Sequence, residues 1–175
     1  MQKKILVPLA TLVAAGAIAV GSGASFTSTS SNTISSVTAG TLTQHNSKAD
    51  KAIFELKDIK PGDTVNGTLE LTNTGTLPAN FSLTEVSSTN GFTGDELTLT
   101  ITDAKNAATP VYDGTFGGLE DGLKKTLGTW AAGETHTYTF TVALDAEAGN
   151  DEQGKTANAV YKWDAVQLTG ETTNQ

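Results

Sequence analysis

His136-Thr137-Tyr138-Thr139-Phe140-Thr141-Val142-Ala143-Leu144 sets its bulky side chains on the even positions and threonine on the odd ones as far as Thr141. A period of two held this long is the pattern of an antiparallel strand covered on one face. Outward from it, Thr68-Leu69-Glu70-Leu71-Thr72 and Leu97-Thr98-Leu99-Thr100-Ile101-Thr102 repeat the alternation. Turn residues separate these runs: Lys60-Pro61-Gly62-Asp63, Asn73-Thr74-Gly75, Asn90-Gly91, Gly117-Gly118 and Ala132-Gly133. The last run, 157–168, carries Tyr161 and Trp163 on one face. Val160, Val166 and Leu168 lie on the other, a pattern that predicts burial on both sides. Only 119–127 and 145–151 hint at short helix or irregular loop. Short strands, frequent turns and no long amphipathic helix predict an all-β fold, an antiparallel, jelly-roll-like β-sandwich of eight to nine strands.

The N-terminus has a different character. Met1-Gln2-Lys3-Lys4 precedes Ile5 to Val20, almost without polar side chains, and then Gly21-Ser22-Gly23-Ala24. A charged head, a short apolar stretch and small residues before a break predict a secretory signal over 1–24, cut after Ala24 or, alternatively, after Ser25. A membrane anchor needs about 20 apolar residues, and Ile5 to Val20 is shorter and contains Pro8. No span is expected after processing. Residues 25–37 form a Ser/Thr-rich segment whose sizeable apolar groups are Phe26, Ile34 and Val37. So little apolar surface does not offset the entropy of ordering, so the segment is either a flexible leader or a strand that needs a partner. The domain is expected over 38–168, with a polar tail at 169–175.

All eleven basic residues are lysine, against nineteen acidic ones. Lys3 and Lys4 belong to the signal, so the processed chain carries nine lysines and a formal charge of −10. That balance disfavours phosphate backbones and anionic lipid, and nucleic-acid binding is not expected. The absence of cysteine excludes disulfides, thiolate catalysis and cysteine-ligated zinc.

Chemistry has few carriers. The two histidines are His45, in a polar turn, and His136, expected at the exposed start of its strand. Glu134-Thr135-His136 does not have the spacing of a helical zinc-protease motif. Asp145, Glu147, Asn150, Asp151 and Glu152 concentrate oxygen ligands that suit calcium, though not at EF-hand spacing; an acidic hairpin loop is also simply a solvated one. No Gly-x-Ser-x-Gly elbow, phosphate loop or dinucleotide glycine pattern occurs. Glu120 and Asp121 are neighbours on a glycine-flanked loop, with nothing to raise the pKa of either. The residues support no catalytic site, metal site or cofactor.

Three stretches taken in order carry a resemblance: Thr38-Ala39-Gly40-Thr41-Leu42; Ile59-Lys60-Pro61-Gly62-Asp63-Thr64 with Leu71-Thr72-Asn73-Thr74-Gly75-Thr76-Leu77; and Trp130-Ala131-Ala132-Gly133-Glu134-Thr135, followed by Gly149-Asn150, Gln153-Gly154 and Trp163-Asp164-Ala165-Val166-Gln167. Together with the signal they resemble the TasA/camelysin family. The resemblance implies a jelly-roll domain, export with cleavage by a dedicated signal peptidase, and assembly into extracellular biofilm-matrix fibres. It also implies that the mature N-terminal segment of one subunit supplies a strand to its neighbour, with Phe26, Ile34 and Val37 as candidate anchors. The expected partners are further copies of the chain and a related matrix subunit. Camelysin itself is classed as a metallopeptidase, but the sequence offers no histidine-glutamate ligand set onto which such a site transfers. The alternative reading is a monomeric secreted or cell-surface adhesin, which calls for an exposed aromatic platform.

Overall fold

The computed structural model describes residues 27–29, 35–37, 40–54 and 59–169. The signal at 1–24, Ser25, Phe26, Ile34 and the tail beyond Thr169 lie outside the described residues. Eleven strands occur among the described residues: β1 (Thr27–Thr29), β2 (Ser35–Val37), β3 (Gly40–Leu42), β4 (Gln44–Asn46), β5 (Thr64–Asn73), β6 (Ala79–Asn90), β7 (Leu97–Asp103), β8 (Tyr112–Thr115), β9 (Lys124–Trp130), β10 (Thr135–Leu144) and β11 (Ala157–Gln167). One antiparallel sheet runs β1-β11-β6-β9 and the other β4-β5-β10-β7-β8; β2 and β3 form a separate ribbon. Without β4 and the ribbon, the remaining eight strands follow the two-sheet order of a jelly roll. The additional strands are three residues each, too short to show a period in sequence.

The predicted alternation is present. Along β10, His136, Tyr138, Phe140, Val142 and Leu144 are buried, while the residues between them are half-exposed. They meet Phe81, Leu83, Trp163 and Ala165 of the facing sheet in one core. Three expectations need correction. Of the two readings of 119–127, residues 119–123 are the irregular loop and not the helix, with Leu119 buried and Leu123 exposed, and 124–127 are strand, since β9 starts at Lys124. β11 is not buried on both faces, because Val160 is 49 % exposed and Leu168 38 %. His45 lies on β4, paired with Thr72, rather than in a turn.

Two of the turns share one construction. In Lys60-Pro61-Gly62-Asp63 the Asp63 carboxylate accepts from the Lys60 N–H at 3.0 Å, and Gly62 takes φ +86°. In Ala131-Ala132-Gly133-Glu134 the Glu134 carboxylate accepts from the Ala131 N–H at 2.8 Å, and Gly133 takes φ +77°. Positive φ at the third position requires glycine at little cost. Asn73 links the second turn to its own: its fully buried carboxamide donates to the carbonyls of Leu77 (2.9 Å), Trp130 (3.2 Å) and Ala131 (3.1 Å), and accepts from the Gly75 N–H. Asn73-Thr74-Gly75 is thus a polar rivet between β5 and the β9–β10 turn.

Candidate functional site

A sheet edge with unpaired backbone groups is where another strand can add. β9, at one edge, starts with Lys124-Lys125 and is bent at Gly128 (φ +110°), where its register with β6 shifts. β8 and β4, the edges of the other sheet, have four and three residues. Charge, bulges and shortness all blunt pairing. β11 is different. It has eleven residues, pairs with β6 along its whole length, and on the other side meets β1 only at Thr27↔Val166, Ser28↔Ala165 and Thr29↔Asp164. No strand among the described residues covers 157–163 on that side.

That stretch opens onto a groove of about 680 Å³ between the two sheets, lined in part by Phe54, Phe116, Ala157, Ala159, Tyr161 and Lys162. The opening has a local cause. On the core-facing positions of β11, Trp163 gives way to Tyr161 and then to the small side chains of Ala159 and Ala157. Across the gap the chain passes close over Gly67, where a Cβ would lie 2.5 Å from the Ile53 carbonyl oxygen. This approach sets the Phe54 ring edge-on to Phe116, with centroids 6.3 Å apart. From the facing sheet the Gln44 carboxamide donates to the Trp163 carbonyl at 3.0 Å.

Of the leader, Thr27–Thr29 lie on the chain's own four-stranded sheet as β1. Val37, the third candidate anchor, ends β2 opposite Gly40.

His136 is not at an exposed strand start. It is 8 % exposed, with Nδ1 2.6 Å from the Asp103 carboxylate and Nε2 3.1 Å from Glu134. The Lys105 ammonium 2.8 Å away, and then the Ala131 N–H, pull the Glu134 carboxyl down to about 2. The position of His136 in the bulky phase of β10 was the sequence signal for its burial. A metallopeptidase centre needs ring nitrogens free to ligate. Both nitrogens of His136 face carboxylates, and His45 lies on the outer, solvent side of the same sheet, exposed. The two histidines do not fit one metal ion. Among the described residues, no three His, Asp or Glu side chains stand as a metal-binding group.

The acidic loop is also internally tied. Glu152 is 5 % exposed and its two oxygens accept from the Lys155 ammonium (2.7 Å) and the Thr93 N–H (3.0 Å). Those partners hold its carboxyl at about 2, Lys155 contributing most. Sequence reading missed Glu85. It follows Ala79, Phe81 and Leu83 on the inner face of β6 and is 1 % exposed. Burial raises its carboxyl more than the Ser88 and Tyr161 hydroxyls lower it. All ten described aromatics belong to the core or pack against it, so none forms an exposed platform.

A family model described as camelysin metallo-endopeptidase matches residues 1–90, just over half of the chain. The match takes in the N-terminal apolar stretch and the Pro61-Gly62-Asp63 and Asn73-Thr74-Gly75 turns, and ends at the last residue of β6. No curated protein matches the chain.

Proposed function

We propose, from the premise that the chain belongs to the TasA-related camelysin family, that it is an exported structural subunit of an extracellular fibre or biofilm matrix. Assembly proceeds by exchange of the mature N-terminal strand between copies. The observation that carries the reading is the half-covered edge of β11: three residues paired by the leader, seven left open along a groove. Exchange of a strand that a subunit already binds in cis costs little, because the same pairs form in trans. The balance then depends on concentration and on any pairs gained.

The register supplies such pairs. Extending Thr29↔Asp164 one residue at a time in opposite directions sets Ser36 opposite Ala157, the start of β11. A leader lodged along the whole edge would bring Ile34 opposite Ala159, on the core-facing phase where the groove has room, and Phe26 opposite Gln167, on the same phase next to the pair Thr27↔Val166. Val37 would fall past the end of β11 and on the other phase, so the anchors of this arrangement are Phe26 and Ile34. In cis, residues 35–37 are drawn away to pair with β3. In trans the donor's residues 35–37 must likewise leave their own β3 before they lie along a neighbour's β11.

The role is structural and has no catalytic step. The test is deletion of residues 25–37 from the mature chain, followed by electron microscopy over a range of concentrations. Filaments from the full mature chain and none from the deletion are expected; normal filaments from the deletion would overturn strand exchange.

A further inference from the structure

The wall of the β11 groove includes a polar pair that the fold leaves unanswered. Tyr161 lines the groove, and Glu85 is its partner in register across β11 and β6. Glu85 is 1 % exposed, yet neither of its carboxylate oxygens has a hydrogen-bond partner among the described residues. The Tyr161 hydroxyl is buried without one as well. Other hydroxyls beside them are engaged elsewhere: Ser88 donates to the Gly117 carbonyl at 3.3 Å and Tyr112 to the Thr115 carbonyl at 2.6 Å. An ionised carboxyl and a phenol hold one proton between three acceptor oxygens. Even with that proton given to Glu85, the second carboxylate oxygen and the Tyr161 oxygen lack donors. Native folds leave few buried groups in this state, because each costs the full loss of its hydration.

An answering group must bring N–H donors into the groove. Residues 25–37 contain one side chain with N–H groups, Asn32. The register that sets Ile34 opposite Ala159 sets Asn32 opposite Tyr161, on the same core-facing phase. The bulge at this point does not disturb that count. Its extra residue is Val86, on β6, and β11 runs unbroken from Val160 to Tyr161.

We propose that the Glu85–Tyr161 pair recognises the Asn32 carboxamide of an exchanged leader and fixes its register on β11, a specificity contact that rests on the strand-exchange reading. Backbone pairing does not fix that register, since a slip of two residues keeps every side chain on its phase. Ile34 fixes it poorly, because Ala157 and Ala159 are both small. Slipped one way, Ile34 stands opposite Tyr161; slipped the other way, Ser30 does. Isoleucine brings no donor, and serine brings one hydroxyl against the two N–H of a carboxamide. A buried Asn sets register in coiled coils by the same penalty on wrong alignments.

The test mixes mature chains carrying Ser36→Cys with differently tagged chains carrying Ala157→Cys or Ala159→Cys, under mild oxidation. Position 157 lies opposite Ser36 in this register, and position 159 lies opposite it after a slip of two. Disulfides carrying both tags are expected to favour Ala157→Cys about tenfold, the effect of one hydrogen bond to a charged group. Asn32→Ala in the donor should bring the ratio near one, as should Glu85→Leu/Tyr161→Phe in the acceptor. Yields should also cross over: the Asn32→Leu donor should prefer that variant acceptor, and the Asn32 donor the wild-type acceptor. Should the double acceptor unfold, Tyr161→Phe alone, which removes a single hydroxyl, carries the same comparison. A ratio near one for wild type, or a ratio unmoved by Asn32→Ala because trapped water alone answers the pair, overturns this inference and leaves exchange standing. No disulfide carrying both tags from any pair, at any concentration, overturns the exchange reading with it.

Discussion

The indole of Trp130, on one sheet, lies flat against the imidazole of His136, on the other, with ring centroids 4.1 Å apart and planes 8° from parallel. Phe81 covers the opposite face of the indole at 3.9 Å. The stack joins the sheets beside the turn that Asn73 rivets, and the imidazole is held edgewise by Asp103 and Glu134. Truncation to His136→Ala removes a stacked ring and leaves the buried Asp103 carboxylate short of a partner. The expected loss is about 2–4 kcal/mol, read by denaturant unfolding. A double-mutant cycle with Trp130→Leu should show coupling of about 1 kcal/mol between the two rings. Additive losses would mean that the stack does not join the sheets.

Asn73 makes a separate prediction about the Asn-Thr-Gly turn. Asn73→Ala withdraws the donor from three carbonyls that sit in or near the core, an expected cost of about 2–4 kcal/mol. Asn73→Asp keeps the acceptor for the Gly75 N–H but turns a carboxylate toward those carbonyls. It should therefore be less stable than Asn73→Ala at neutral pH. Thermal unfolding of the two variants side by side decides the point, and equal stability would remove the donor argument.

Much of this architecture was legible in the sequence, and the misses have physical causes. The β10 alternation gave the strand, its buried face and the sandwich, because one covered face imposes a period of two wherever the strand runs. His136 and Glu85 sit on the buried phase of their strands but are polar, and a polar side chain read alone suggests solvent. Leu119, Leu123 and Leu127 are spaced like one face of a helix; Gly122 at φ +79° and the strand beginning at Lys124 break that pattern. The Trp130–His136 stack and the open edge of β11 arise from strand order between sheets, which local periodicity does not encode.

Two buried glutamates should give opposite signs in a pH series. Burial raises Glu85, so ionising it works against the fold: stability is full below the ordinary glutamate value of about 4.3 and declines as pH rises through the raised value. Glu85→Gln should therefore melt higher than wild type at pH 7, with the gain vanishing in acid. Glu152 is held at about 2, so its contribution is present above about pH 4.3 and is lost as pH falls toward 2. Glu152→Gln should melt lower at pH 7 and match wild type near pH 2. Melting curves between pH 2 and 7 check both, and a lower melting point for Glu85→Gln at pH 7 would show that the buried carboxylate is stabilised.

The chain contains no cysteine, which makes strand exchange open to unambiguous trapping. With Ile34→Cys in one copy and Ala159→Cys in another, the extended register brings the two residues directly opposite each other. Directly opposed residues in an antiparallel pair have Cα atoms about 4.5–5.5 Å apart, within disulfide reach. Mixing differently tagged mature chains under mild oxidation should give a reducible species carrying both tags, increasing with total concentration. Val37→Cys with Ala159→Cys should give little, because position 37 falls on the other phase and beyond the strand end. A chain bearing both Ile34→Cys and Ala159→Cys distinguishes the two arrangements further. Exchange predicts linked multimers at high concentration, whereas a leader committed to its own sheet, with residues 35–37 held on β3, predicts monomers alone at every concentration, and that second result would end the exchange account.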